Sequence, residues 1–318
     1  MAKPTRIFFV ADLHGSERCF RKFVNAGKVY EAKVLLIGGD IAGKTITPLW
    51  PENGGWSGPY LGSRRWVQTD SDLVKFEEDL RATGSIPYRT TPKEWEELSH
   101  DRARADDLFR ELALGILQKW VSLAETRLRG SGIRVLIGLG NDDFDEMEGI
   151  VRQSDYVELT DGRILRLDDQ HEVLTLAYSN ITPWHTNREL TEPQIAEHIR
   201  TAVAELQRPE RTIFNFHVPP AGTQLDLAPR LTSDLTKVIG PGGDPEMVHV
   251  GSTAVRAAIE QFQPLLGLHG HIHESKGFSH IGRTLCVNPG SAYSEGILQG
   301  LLVDLEPDKV RSHVLTTG

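Results

Sequence analysis

Five short apolar runs in this sequence are each followed by a carboxylate, an amide or an imidazole side chain. The runs with the polar residues after them are 7–10 with Asp12 and His14, 34–37 with Asp40, 135–137 with Asn141, 213–216 with His217, and 265–268 with His271 and His273. Oxygen and imidazole donors without a thiolate are typical ligands of divalent ions such as Mn, Fe, Zn, Co or Ni. The set therefore predicts a centre for two metal ions, of the kind that some hydrolases use.

Buried strands would have to position these ligands. Short apolar runs bounded by glycine are typical of such strands. In open α/β sheets the reactive groups collect beyond the carboxyl ends of the strands. Asp12 and His14 are two residues apart, as are His271 and His273, so that each pair can point to one side of its segment. We therefore expect all five segments to deliver their ligands to one rim of the fold.

Composition indicates a soluble globular protein. The chain has 318 residues, of which 39% are hydrophobic and 25% charged. The two cysteines, Cys19 and Cys286, show no metal-binding or redox spacing and suggest reduced thiols. The sequence has no signal peptide and no apolar stretch near the roughly 20 residues of a membrane span. These features predict a cytoplasmic protein without a membrane partner.

The net charge of −9 and the pI of about 5.8 argue against a nucleic-acid partner for this chain. An acidic surface would also repel a small anionic substrate. Two bound divalent cations would reverse this effect locally, because they are the largest charges in their site. A small anionic substrate is therefore compatible with the composition.

The chain reads as one domain over residues 1–318 with two large excursions. The first is a loop and helix insertion at about 44–130, with a Gly-, Pro- and Trp-rich loop or lid at 44–90 and one long helix from Thr91 to Gly130. The second is a long loop at about 218–251. Asp161-Gly162 suggests a hairpin turn within a β-rich segment at 155–180. Helices are expected at 192–206 and 253–262, and short strands after residue 277.

The five motifs, in order, resemble those of the calcineurin-like metallophosphoesterases. Asp-x-His, Gly-Asp, Gly-Asn, a lone His and Gly-His-x-His occur between residues 12 and 273. The segments 217–220, 251–256, 269–275 and 288–291 look like the uncharacterised archaeal and bacterial branch of that superfamily. The resemblance implies a four-layer αββα sandwich with two central mixed sheets. It also implies a metal site at the carboxyl ends of the strands.

The resemblance further implies how the ligands are shared between two divalent ions. One ion would be held by Asp12, His14, Asp40 and His273, and the other by Asp40, Asn141, His217 and His271. Asp40 would bridge the ions, and a hydroxide between them would attack the phosphorus of a phosphoester. Asp40, Asn141, Asp142 and His217 would form the catalytic group. The sequence does not choose the metal, although Mn is expected to serve in assays.

Asp142 is a departure from the family pattern. Many members have a histidine here, placed to protonate the leaving group. An ionised aspartate repels a dianionic monoester more than a monoanionic diester, whereas an aspartic acid with a raised pKa could donate a proton. We therefore expect phosphodiesters to be favoured. A phosphomonoesterase, a nuclease and a non-catalytic metal-bound scaffold are the alternatives, and Asp142 or Asp143 could instead only cap the following helix.

Other side chains are weaker candidates for contacts with the substrate, a small phosphoester such as a nucleotide. Arg64 and Arg65 could clamp a phosphate, or could be solvated charges in a loop. His185 lies in a loop that could reach the site. His269 is expected to be a core histidine or to support the ligands. The segment 288–291 is either a plain turn or a motif beside the metals.

Overall fold

We describe residues 4–318 in a computed structural model of the chain. The strands are β1 (Thr5–Val10), β2 (Val34–Gly38), β3 (Thr45–Glu52), β4 (Gly55–Tyr60), β5 (Ser63–Val67), β6 (Ser85–Arg89), β7 (Arg134–Gly138), β8 (Val157–Leu159), β9 (Ile164–Arg166), β10 (Glu172–Leu176), β11 (Ser179–Asn180), β12 (Glu189–Leu190), β13 (Thr212–Phe216), β14 (Leu227–Pro229), β15 (Met247–His249), β16 (Leu266–Leu268), β17 (Gly277–Ile281), β18 (Thr284–Asn288), β19 (Gln299–Glu306) and β20 (Lys309–Thr317). The helices are α1 (Glu17–Val29), α2 (Asp70–Ala82), α3 (Pro92–His100), α4 (Arg102–Leu128), α5 (Glu146–Arg152), α6 (Glu192–Val203) and α7 (Thr253–Phe262).

Two six-stranded mixed sheets carry the five ligand motifs. The first has the order β20-β19-β1-β2-β7-β8, and the second has the order β17-β18-β16-β13-β10-β9. The strands β1, β2 and β7 are parallel neighbours in the first sheet. The strands β13 and β16 are parallel neighbours in the second. The predicted mixed α/β class is thereby confirmed, and the ligand-bearing strands of each sheet end on the same side.

Successive side chains along a strand point to opposite faces of the sheet, and this alternation explains how the sheets are packed. In β1, Ile7 and Phe9 belong to a buried apolar cluster that contains residues of both sheets. Phe8 and Val10 point the other way, into a cluster with helices α1 and α4. In that cluster Phe20 stacks on the indole of Trp120, with ring centroids 4.3 Å apart. A third cluster joins the second sheet to α6 and α7.

The segment 44–90 is a small folded unit, so the prediction of a loop or lid was wrong. It contains α2 and a four-stranded sheet in the order β5-β4-β3-β6. The hairpin turns are formed by Asn53-Gly54 and Leu61-Gly62, whose φ angles of 49°, 76°, 47° and 76° fit type I′ turns. Leu49, Val67, Leu73, Phe76 and Leu80 form its own buried core.

Three other predictions from the sequence can be compared with the structure. The single helix expected from Thr91 is divided into α3 and α4 at Asp101, which ends the first and accepts a capping bond from the Arg104 N–H. Asp161-Gly162 does not close a hairpin, because β8 lies in the first sheet and β9 in the second. Helix α7 has the predicted bounds. Within residues 4–318, no helix has both the length and the apolar character needed to cross a bilayer.

Candidate metal centre

Four of the predicted ligands have left-handed backbone conformations. The φ angles are 57° for Asp12, 40° for His14, 55° for Asp40 and 68° for His271. Residues with a side chain rarely adopt this region, and the strain tends to cluster at functional sites where the surrounding structure enforces it. The sharp turns at the strand ends direct these side chains into the space between the sheets' carboxyl ends.

The motif glycines are required by close approach of the two ligand-bearing edges. A Cβ atom on Gly270 would lie 2.5 Å from an Asp12 carboxylate oxygen. A Cβ atom on Gly39 would lie 2.6 Å from the His217 ring. Gly39 also has a φ of 119°, which residues with a side chain rarely adopt. A glycine is therefore needed at this position both for the lack of space and for the backbone conformation.

The candidate ligand side chains gather in two groups, and a third group of His14, Asp40 and Asp142 connects them. In each group the candidate ligand atoms lie within 4.8 Å of one another, the first being Asp12, His14 and His273 and the second Asp40, His217 and His271. One Asp40 oxygen, Oδ2, lies 3.7 Å from His14 Nε2 and 3.4 Å from His217 Nε2. Asn141 Oδ1 lies 2.7 Å from His271 Nδ1. The seven predicted ligands are therefore brought together.

The protonation pattern of the imidazoles fits metal binding. His217 Nδ1 lies 3.0 Å from the Gly38 carbonyl, and its buried Nε2 has no hydrogen-bond partner within residues 4–318. His14 Nδ1 lies 3.2 Å from the Ala42 carbonyl. A hydrogen on each Nδ1 leaves the Nε2 lone pair directed at the cluster, as in metal-ligating histidines. Together with the carboxylates, these donors fit divalent ions.

Burial and charge shift the pKa values in this cluster in opposite directions. Burial lowers the pKa of His14 to about 3 and that of His271 to about 4, which favours the neutral form that binds metals. Burial also opposes a charge on His217, but the Asp40 carboxylate outweighs it and raises that pKa to about 10. A cation at this position would compete with the His217 proton, so that metal binding would release a proton.

Asp142 forms an ion pair that the sequence did not reveal. Its carboxylate contacts Lys44 Nζ, while its backbone N–H donates to Asp40 Oδ1 at 3.0 Å. Burial and the neighbouring Asp40 raise the pKa of Asp142 to about 6. The N-cap residue of α5 is Asp145, so the alternative in which Asp142 caps that helix is wrong.

Asp143 does not cap the helix either, because it joins the two ligand loops. Its fully buried carboxylate accepts hydrogen bonds from the N–H groups of Ile41 at 2.8 Å, Ala42 at 2.7 Å and Gly140 at 2.9 Å. These donors flank Asp40 on one side and Asn141 on the other. Asp143 thus fixes the separation of two ligands that come from different strands.

The segment 288–291 lies beside the centre, in agreement with the second of its two interpretations. The Asn288 side-chain amide donates to the Gly270 carbonyl at 3.2 Å and to the Ile272 carbonyl at 2.9 Å. Ser291 Oγ donates to the Asp12 carbonyl at 2.7 Å. His269 is fully buried with its Nδ1 2.7 Å from a carbonyl of the neighbouring strand β13, and belongs to neither ligand group of the described residues.

The loop that contains His185 reaches the site through other residues. His185 is exposed and is absent from the described residues that line the adjacent cavity. The Asn141 amide instead donates to Thr186 Oγ1 at 2.8 Å, and the Asn187 amide donates to the Asp142 carbonyl at 2.8 Å. Sequence reasoning identified the loop but chose the wrong neighbour within it.

Arg64 and Arg65 make ion pairs within the small sheet. Arg64 lies 2.9 Å from Glu52 and also donates to Ser57, and Arg65 lies 2.7 Å from Asp79. Neither arginine is among the described residues that line the cavity beside the metal ligands. These contacts give no support to the predicted phosphate clamp.

A cavity of about 930 Å³ opens directly over the ligand groups. This is within the roughly 300–1,000 Å³ of typical small-molecule sites. Its floor includes Asp40, Asn141, His271 and His273, and Lys44 lies beside them. The centre is therefore accessible to a small substrate.

Comparison with known proteins gives one sequence relative. No family model matches the chain. The uncharacterized protein MJ1162 of Methanocaldococcus jannaschii is 31% identical over 160 residues, which are 49% of this chain. The match spans 64% of the length of that curated relative. Its name gives no activity.

Solved structures show that the overall fold is shared with other proteins. One crystal structure covers 98% of both chains at 16% identity with a TM-score of 0.58. That of TT1561 of Thermus thermophilus covers 99% of this chain and 98% of its own at 15% identity, with a TM-score of 0.53. A novel archaeal phosphodiesterase covers 98% of this chain and 99% of its own at 10% identity, but its TM-score of 0.36 is too low to support a conclusion. The two higher scores concern the fold alone.

Proposed function

We propose that this chain is a metal-dependent phosphoester hydrolase with a dinuclear centre, built on an αββα sandwich. The observation that carries the proposal is the pair of buried ligand groups with Asp40 between them. The ordered motifs, which resemble those of the calcineurin-like metallophosphoesterases, support the same interpretation. The buried, reduced cysteines Cys19 and Cys286 agree with the proposed cytoplasmic location.

The ligand assignment follows the two groups. Asp12, His14 and His273 would hold one ion, His217, His271 and Asn141 the other, and Asp40 both. Bound divalent ions would supply Lewis acidity and an activated water at neutral pH. Asp143 would hold the loops of Asp40 and Asn141 at a fixed separation. Lys44, paired with Asp142, would lie beside the phosphate at the cavity floor.

A preference for diesters over monoesters is proposed from the charges that face the substrate. Asp142 lines the cavity next to His14 and Asp40 and is not one of the seven proposed ligands. Its pairing with Lys44 leaves no net positive charge to favour the second negative charge of a monoester. The raised pKa of Asp142 favours a monoesterase as the second candidate, since a protonated carboxyl could donate to the leaving group.

Hydrolysis of two matched substrates separates these candidates. The manganese-loaded protein should hydrolyse bis-p-nitrophenyl phosphate with a higher kcat/KM than p-nitrophenyl phosphate. A higher value for the monoester would favour the monoesterase. If a protein with two equivalents of bound metal hydrolysed neither of these esters nor a panel of nucleotides, the proposed hydrolase activity would be wrong and a metal-bound scaffold would be favoured.

A further inference from the structure

The cavity over the metal ligands continues between two walls that are largely apolar. The first wall is a loop that contributes Ile181, Pro183 and Trp184. The second wall is formed by the antiparallel strands β14 and β15 and the segment that joins them. It contributes the apolar Leu231 and Val248 and also the cationic Arg230 and Lys237. A charged floor with largely apolar sides fits a molecule that has an anionic group at one end and an apolar group at the other.

The first wall is held in place by one carboxylate. Glu189 accepts hydrogen bonds from the Thr182 N–H at 3.0 Å, the Thr186 N–H at 2.8 Å and Thr186 Oγ1 at 2.9 Å. Thr186 Oγ1 in turn accepts from the amide of the ligand Asn141. The loop with Trp184 is therefore hydrogen-bonded to a candidate metal ligand.

The second wall is anchored in a similar way. The fully buried Asp226 accepts from the Gly222, Thr223 and Gly251 N–H groups at 2.9–3.1 Å, and lies 2.9 Å from His249 Nδ1. The Asn180 amide donates to the Val250 carbonyl at 3.1 Å and so links the base of the first wall to the second. Both sides of the slot are thus preorganised, which reduces the entropy lost when a ligand binds.

Trp184 is the large aromatic side chain of the first wall, and it is 62% exposed. Single exposed aromatic side chains are common on protein surfaces, but Trp184 lines the cavity beside the candidate metal ligands, where a bound organic group would cover it. Aromatic side chains of this kind bind flat organic groups by stacking.

From this geometry we propose that the slot selects phosphoesters with an aromatic organic group, which packs against Trp184 while the phosphate lies over the metal ligands. This inference rests on the proposed function for the identity of the anionic end. Trp184 is then a specificity-determining residue, and the nucleoside and aryl esters are the substrate classes of matching chemistry.

Binding of two non-hydrolysable phosphonates to the manganese-loaded protein tests the slot by itself. Isothermal titration calorimetry should give a Kd for phenylphosphonate about tenfold lower than for methylphosphonate, a ratio that a single stacking contact can supply. Trp184→Ala should reduce this ratio to about twofold or less, whereas Trp184→Phe should keep most of it. Trp66→Ala is the matched control, because Trp66 is also exposed but lies in the small sheet, away from the cavity.

Kinetics add an independent measurement. Trp184→Ala should raise KM for bis-p-nitrophenyl phosphate several-fold and leave kcat within about twofold, because stacking acts on binding of a remote group. Equal affinities for the two phosphonates in the wild type, or an unchanged ratio in Trp184→Ala, would overturn the inference while hydrolysis still supports the proposed function. A preserved phenyl preference without hydrolysis of any phosphoester would overturn the proposed function but not the slot.

Discussion

Asp40 is the residue that we propose bridges the two ions. Its carboxylate faces His14 and His217 and also accepts the Asp142 N–H. Asp40→Asn should remove both metals and nearly all turnover, since an amide supplies no negative charge to either ion. The fold should be kept because the side-chain volume is unchanged. Elemental analysis, circular dichroism and kcat measure these three outcomes.

Asp308→Asn is the control for this substitution. This substitution makes the same change from a carboxylate to an amide, at a residue in the exposed turn between β19 and β20. The variant should bind the same amount of metal as the wild type. Two full equivalents of metal in purified Asp40→Asn would show that Asp40 does not bridge the ions.

Lys44 sets the charge that a substrate meets beside Asp142. Lys44→Met removes the ammonium but keeps much of the side-chain length, so that Asp142 faces the phosphate unpaired. We expect kcat/KM for p-nitrophenyl phosphate to fall about five- to tenfold more than for the diester, because the monoester has nearly one more negative charge. Lys93→Met, with a side chain that is 87% exposed on α3, should change neither value. An equal loss for both esters would mean that Lys44 acts on structure alone.

At the scale of residues, the sequence indicated the candidate ligands but not the residues around them that position or pair with them. The seven candidate ligands could be proposed from residue type, their order in the chain and the family resemblance, and the structure brings all seven together. The roles of Lys44 and Asp143 could not be predicted in this way. They depend on the positions of neighbouring groups that the turns at Gly39 and Gly140 determine. A lysine after a glycine, or a second aspartate after Asn141, has no distinctive pattern in one sequence.

At the scale of elements, strands were predicted correctly where their residues are fully buried. Central strands are continuous apolar runs, and the strands that precede the ligands were recognised for this reason. The small sheet over residues 45–89 was missed because its strands contain Gly, Pro and Arg and bury only one small core. Its Asn53-Gly54 turn was a hairpin signal in the sequence. The break at Asp101 was missed although the apolar stripe is interrupted there, with no large apolar residue between Leu98 and Leu108.

Asp161 shows how a connecting turn can affect stability. It lies between β8 and β9 and its carboxylate accepts the Leu139 N–H at 2.7 Å. Burial raises the pKa of Asp161 to about 7, whereas the unfolded chain has the ordinary value of 3.8. The folded state therefore retains this proton to higher pH, and the free energy of unfolding should fall as pH rises from 3.8 to about 7.

Asp161→Asn should remove this contribution. Relative to the wild type, the metal-free variant should be more stable at pH 8 than at pH 5, by on the order of 1 kcal/mol or more. Urea unfolding at the two pH values measures the difference. Asp169→Asn, at a side chain that is 95% exposed, should show no such change. Parallel pH profiles for Asp161→Asn and the wild type would show that Asp161 is ionised in the folded protein at both pH values.

At the scale of the whole molecule, the centre joins two sheets that are each formed from distant parts of the chain. Asp12 and Asp40 follow strands of the first sheet, and His217 and His271 follow strands of the second. The sequence identified the strands but could not determine which lie side by side, because pairing such as that of β1 with β19 depends on contacts between residues almost 300 positions apart. The resemblance to a known family supplied that information instead.

Bound metal should therefore stabilise the whole fold rather than one loop. Ions that bind only the folded state stabilise it by about 2.7 kcal/mol at a concentration of 100 times Kd, which corresponds to roughly 4 °C in Tm for a chain of this size. Adding Mn²⁺ to the metal-free protein should produce a rise of this order. His217→Ala should show less than half of it, since the second sheet loses a ligand.

The comparison is made within each variant, with and without Mn²⁺, so that any destabilisation by the substitution itself cancels. His280→Ala is the matched control, because His280 is exposed on β17 of the same sheet. It should show the full rise of the wild type. An equal rise in His217→Ala would mean that the ions are held by the first sheet alone, and the proposed link between the two sheets through the metal centre would be wrong.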